Sequence, residues 1–374
     1  MVDVSGSAGK GGAVLLFILL TDVCNLHCEY CGGFTIEDPK KAEVSYDLDV
    51  LVRFMRTHPV VDVEFYGGEP LLRIPLMLKM MDTLPARYFM VQTNATLLHR
   101  VPTEYLRRFH TILASIDGPR EITDGYRGRG VYDTVVRNVR DAIDRGFSGD
   151  MIARMTVSHR SDIYRDVRHL LSLGIFSHVH WQLDAIWGDR WDFGRWAEEN
   201  YNPGISRLVE EWVEKMRDGV VEGIVPFKAI MTSLVREEKT GLRCGAGLNA
   251  FAITPRGEVM ACPIAPEFRD MWLGDMDTLL GEKKTIRSIS GLLQVGPPCD
   301  ACEVRDICGG RCLFANRHKL WGTEGEKEVC GTVKHLIREL QKNVEEVRGL
   351  LRDGVITREK LFYPETNNGC EIIP

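Results

Sequence analysis

With 374 residues, 44% of them hydrophobic and 27% charged, the chain is long enough for one large domain and a smaller one, and burying a core is no difficulty. Its 47 basic and 53 acidic residues leave a net charge of −6, which argues against a nucleic-acid backbone or a membrane surface as partner. Eleven cysteines, an odd total, point to metal ligands in a reducing compartment rather than to a disulfide framework.

Residues 1–12 read as a tail. The run AVLLFILL, residues 13–20, is too short to cross a bilayer, lacks a small-x-small cleavage site and is interrupted by Asp22. It reads as a buried strand over 13–21, and a cytoplasmic location is expected. Further strands are predicted at 61–66, 87–92, 111–116, 151–157 and 178–183. Helical periodicity lies between them, over 48–56 and over 131–145, where Val131, Val135, Val136, Val139 and Ile143 share a face. With a closing amphipathic helix at 205–218, six strand–helix units predict parallel strands curled into a partial barrel over 13–225. Chemistry then belongs at the C-terminal ends of the strands.

After about residue 225 the pattern changes. AFAITPRGEVMACP reads as a hairpin turning at Pro255, Arg256 and Gly257, and cysteine spacing then dominates a second domain over 226–335. A helix opening at Cys330 and ending near Arg352 is expected to lead into a C-terminal region, 336–374.

The loop after the first strand, VCNLHCEYCGG, holds Cys24, Cys28 and Cys31. Iron–sulfur clusters are held by four thiolates, so three leave one iron open to a ligand that reacts. The spacing C-x3-C-x-aromatic-C, with Tyr30 as the aromatic, resembles the radical S-adenosylmethionine (SAM) superfamily. The resemblance implies a [4Fe–4S] cluster on the three cysteines, with SAM chelated by its open iron and cleaved by one electron. It further implies that Gly67, Gly68, Glu69 and Pro70 meet the SAM amino group, Ser115 its ribose and Arg154 its carboxylate, the last through a bidentate guanidinium.

The distal pattern C-x2-C-x5-C-x3-C, between Cys244 and Cys262 on one side and Cys330 on the other, resembles the SPASM domain. That resemblance implies one auxiliary [4Fe–4S] cluster on Cys299, Cys302, Cys308 and Cys330. A second would rest on Cys244, Cys262 and Cys312, with Cys370 a candidate for its missing ligand. A zinc-binding structural or interaction protein is the alternative from another class, since CxxC pairs also close tetrahedral zinc sites.

Enzymes of the SPASM subgroup act mostly on peptides, so the resemblance implies hydrogen abstraction from a ribosomally made peptide, under anaerobic conditions, with a flavodoxin or ferredoxin as electron donor. A sulfatase-maturase-like activity is the runner-up, disfavoured because Pro263 rather than Asp follows Cys262 and no cysteine lies between Cys244 and Cys262. With about a dozen residues ahead of the first strand, any leader peptide is expected to bind the barrel rim, the cysteine-rich region or a separate protein. Four tryptophans in sixteen residues, Trp181 to Trp196, suit either an apolar peptide or the core. Asp184 and Asp189 are the candidate bases. His27 and His180 read as structural.

Overall fold

The computed structural model describes residues 12–31, 43–184, 191–264, 268–364 and 366–374. β1 (Val14–Leu19) is an apolar run buried on both faces, as a strand inside an α/β layer must be. Leu16 and Ile18 join Val63, Phe65 and Val91 in the main core. Leu15, Phe17 and Leu19 point the other way and pack with Met90, Ala250, Ala252 and Met260.

β2 (Val61–Tyr66), β3 (Phe89–Thr93), β4 (Phe109–Ser115), β5 (Asp150–Val157) and β6 (His178–Leu183) follow in parallel, each beside its predecessor. These are the six predicted strands of the partial (β/α)6 barrel. The helices between them supply the outer layer. Leu48–Met55 starts at Asp47, whose side chain accepts from the Asp49 amide. Val131–Asp144 buries Val131, Val135, Val136 and Val139 as its periodicity predicts, but Ile143 is exposed and Ala142 takes the inward position. The drift of a 3.6-residue turn accounts for the change at the last turn.

The hairpin forms between β7 (Ala250–Ile253) and β8 (Glu258–Met260), with β9 (Trp272–Asp275) beyond it. It does not stand apart from the barrel. β7 pairs in parallel with β1, from Leu15↔Ala250 to Ile18↔Ile253, giving one sheet in the order β6-β5-β4-β3-β2-β1-β7-β8-β9. β1 would otherwise be an edge with unpaired backbone groups, and β7 satisfies them. Cys330 does not open a helix: it lies within Gly322–Gln341, and a second helix, Val344–Arg352, follows. The break falls at Asn343, whose side chain donates to the Glu339 carbonyl. Among the described residues no helix is long and apolar enough to cross a membrane.

Candidate active site

The cysteine loop leaves β1 at the C-terminal edge of the sheet and is clamped by the loop after β2. Gly68 N donates to Thr21 O at 2.8 Å and Glu69 N to Val23 O at 2.9 Å. A Cβ on Gly67 would lie 2.2 Å from Thr21 O, and one on Gly68 2.3 Å from Val23 O, so only glycine permits this approach. Glu69 is fully buried, and its carboxylate accepts from Leu71 N, Thr93 Oγ1 and Asn94 N at 2.9, 2.7 and 2.7 Å. Burial pushes this carboxyl up to about 7 although the three hydrogen bonds pull it down. Glu69 thereby ties β1, β2 and β3 together at their upper ends. Pro70 opens the short 3-10 turn that follows.

The Asn94 amide donates to Asn25 Oδ1 at 2.8 Å and to Cys24 Sγ at 3.8 Å, fixing the first cysteine from β3. The other end of the loop is fixed from β4. Tyr30 donates its hydroxyl to Asp117 Oδ2, and Arg127 donates to both oxygens of Asp117 at 2.7 and 2.8 Å. The Thr156 amide adds a further bond to Asp117 at 2.9 Å. Asp117 lies two residues after Ser115, the residue singled out from sequence. Ser115 ends β4 in register with Arg154 on β5. Asn94, Asp117 and Arg127 were missed; the only sequence signal for Asn94 and Asp117 was position, just past predicted strands, and Arg127 ends the helix Arg120–Arg127 with none.

Arg154 has its nitrogens engaged within the chain. Nη2 donates to both Glu371 oxygens at 3.0 and 2.8 Å, Nη1 lies 2.8 Å from His180 Nδ1, and Nε lies 3.5 Å from Gln92 Oε1. The carboxylate that meets this guanidinium in the structure is that of Glu371.

The described cysteines are all free thiols, and all but Cys370 fall into three neighbourhoods. Cys24, Cys28 and Cys31 lie within one another's field, and burial pushes Cys28 up to about 11, with Arg127 opposing and Asp117 and the other two cysteines adding to it. Cys244, Cys262 and Cys312 form a second set, in which burial pushes Cys244 up to about 12. Cys299, Cys302, Cys308 and Cys330 form the third and line a cavity of about 80 Å³ with Arg311. Buried thiols this reluctant to ionise alone give up their protons to a bound metal centre. Yet among the described residues no three His, Cys, Asp or Glu side chains converge tightly enough for a single ion. Zinc takes thiolates at about 2.3 Å from one point, whereas a cubane holds each thiolate on a different iron.

The fully buried Cys370 thiol neighbours Arg154, Glu371, Asp150 and Tyr363, and the carboxylate that neighbours the second set of cysteines is Glu371. Asp184 is buried at the end of β6, accepts from Ser158 Oγ at 2.7 Å and is raised by burial. Asp189 and Trp187 lie outside the described residues. Trp181 belongs to the core, donating to the Tyr201 hydroxyl at 2.9 Å. Trp191 meets Phe193 edge-on and Trp196 meets it at a tilt, at centroid distances of 5.3 and 5.7 Å. His27 is exposed, and His180 is buried against Arg154.

Residues 18–173 match the family model described as Radical SAM superfamily. The mycofactocin maturase MftC of Mycobacterium tuberculosis is 25% identical over 319 residues, covering 82% of this chain and 80% of its own. The antilisterial bacteriocin subtilosin biosynthesis protein AlbA of Bacillus subtilis is 24% identical over 350 residues, covering 84% and 70%. Among solved structures, anSMEcpe with bound AdoMet superposes with a TM-score of 0.71 at 17% identity, over 91% of this chain and 97% of that one. SuiB of Streptococcus suis bound to its precursor peptide SuiA gives 0.55 at 13%, over 82% and 73%. With the three-cysteine loop clamped at the mouth of a six-stranded parallel partial barrel, these likenesses identify residues 18–173 as a radical SAM domain.

Proposed function

We propose that this enzyme removes a hydrogen atom from a residue of a ribosomally made peptide in the cytoplasm. The observation that carries the reading is the clamped loop, in which Cys24, Cys28 and Cys31 present three thiols beside the Gly67–Gly68 turn. The names of its relatives, a mycofactocin maturase and a subtilosin biosynthesis protein, support a peptide as substrate, as does the precursor peptide bound to SuiB.

Cys24, Cys28 and Cys31 would hold the cluster that binds SAM. When bound there, SAM supplies on one-electron reduction a carbon radical strong enough to take hydrogen from an unactivated C–H bond. The chain's own work is positioning and water exclusion. Glu69 and Asp117 hold the two ends of the loop, Gly67, Gly68 and Pro70 would shape the floor for the SAM amino group, and Ser115 would meet its ribose. Asp184, buried and close to Ser158, is the candidate base, with Asp189 beside it in sequence.

Two auxiliary clusters are proposed, one on Cys299, Cys302, Cys308 and Cys330 and one on Cys244, Cys262 and Cys312. The raised thiols of both sets support this. A flavodoxin or ferredoxin is proposed as electron donor. The division into a barrel, residues 13–225, a cluster domain, 226–335, and a C-terminal region, 336–374, belongs to the same proposal. Co-expression with a short peptide encoded beside this gene, followed by mass spectrometry, tests the reading. A changed peptide mass and deuterium carried from the target carbon into 5′-deoxyadenosine are expected; turnover of a free metabolite with no peptide present would overturn it.

A further inference from the structure

Residues 367–374 run through the interior of the barrel. Cys370, Ile372 and Ile373 are buried, the Asn367 amide donates to Cys244 O at 3.1 Å, and Arg311 Nε donates to Pro374 O at 2.8 Å. Between these anchors Glu371 accepts two bonds from Arg154 Nη2 and one from Gln182 Nε2 at 3.0 Å.

Two features separate this segment from an ordinary packed tail. Arg154 is held by groups other than the tail, His180 on β6 and Gln92 on β3, so its guanidinium is preorganised whether or not Glu371 is present. Beneath the tail, Glu64 on β2 is fully buried, and neither carboxylate oxygen has a hydrogen-bond partner. Gly369 lies directly on it: a Cβ there would fall 2.0 Å from Glu64 Oε2. A buried acceptor without a donor is costly, so the tail is an imperfect occupant of the space it fills.

We infer that residues 367–373 are an internal peptide ligand, and that Arg154 with Gln182 forms a subsite for an acidic side chain of the peptide substrate. The inference rests on the peptide-modifying reading above. The segment bends at Gly369, whose φ is +79°, and this bend sets Gly369 against Glu64 while Glu371, two residues on, meets Arg154. At these two positions, a substrate peptide with a carboxylate at the second and an N–H or ammonium donor reaching Glu64 from the first makes the bonds that Glu371 makes and one more. That difference lets it displace the tail, because exchange between two occupants is decided by the bonds they do not share.

The carboxylate bound by Arg154 has two possible sources, an acidic peptide side chain or SAM itself, and one titration distinguishes them. The probe is the fluorescently labelled synthetic octapeptide NNGCEIIP, added under reducing conditions to the full-length, cluster-loaded enzyme. The E371Q variant, whose tail is loosened but intact, is expected to bind the probe about tenfold more tightly than the wild type. Replacing Glu by Gln in the probe, or combining R154K with E371Q, is expected to cancel that gain, and saturating SAM is expected to leave it unchanged. Circular dichroism and the cluster absorbance confirm that each variant is folded. Equal probe affinity in folded E371Q and wild type, indifference to Glu or Gln in the probe, or displacement of the probe by SAM would each overturn the assignment. The readout is binding, so it stands or falls apart from whether any peptide is turned over.

Discussion

Tyr30 donates its hydroxyl to Asp117 at 2.7 Å across 87 positions of sequence, so the aromatic inside the cysteine loop is tied to the end of β4. Asp117 in turn holds Arg127 through two bonds, and both partners are nearly or fully buried. Asp117→Asn leaves the Arg127 charge buried without its partner, which is expected to cost about 3 kcal/mol. Tyr30→Phe removes one hydrogen bond and is expected to cost about 1 kcal/mol. Urea unfolding of the two variants at equal iron content checks the ranking; equal losses would show that the pair does not anchor the loop.

Replacing Cys24, Cys28 and Cys31 together by Ala removes every thiol of the loop. Iron content is expected to fall by about four per chain, the complement of one cubane, while absorbance from the distal sets persists. Formation of 5′-deoxyadenosine under dithionite is expected to vanish, and chromatography of the anaerobic reaction reads it directly.

Glu69→Gln changes the hydrogen-bond arithmetic more than the volume. The carboxylate accepts from three donors, and an amide has one oxygen to offer and presents a donor where the second oxygen stood. A loss of about 2 kcal/mol is expected, visible as a lowered thermal midpoint. Glu69→Asp keeps the charge but withdraws it, and should fall between Gln and the wild type.

Cys370 is buried beside Tyr363 and Arg154, whereas Glu371 neighbours Cys244 and Cys262. Cys370→Ala is therefore expected to leave the EPR signals of the reduced auxiliary clusters unchanged. A shifted signal from one of them would instead make Cys370 its fourth ligand.

Burial raises the Glu64 carboxyl well above its ordinary value, with nearby Glu371 adding to the effect and Arg154 opposing it. Its folded form holds a proton that the unfolded chain releases from about pH 4.5 upward, so the folded state binds more protons and stability declines as pH rises through that window. Glu64→Gln removes this titration. The thermal midpoint of the variant is expected to fall less steeply than that of the wild type between pH 5 and 8, and parallel profiles in buffers of matched ionic strength would refute the assignment.

Much of the fold was legible because β1 is an unbroken apolar run and the other five barrel strands are short runs rich in β-branched and aromatic residues, alternating with polar ones in β2 and β6, and all six appear where such patterns predict them. The chemistry of the loop was legible for a similar reason: three thiols and an aromatic at close spacing carry their meaning within eight residues. Sequence could not show which carboxylates serve the site, since Glu69, Asp117 and Glu371 find their partners only when strands far apart in the chain lie side by side. Nor could it show that β7 would complete the sheet beside β1, because pairing across some 235 positions depends on which edge folding leaves open. Local pattern thus determined the elements and the cysteine loop. Tertiary contact alone decided that the last residues of the chain lie inside the barrel, with Glu371 on Arg154.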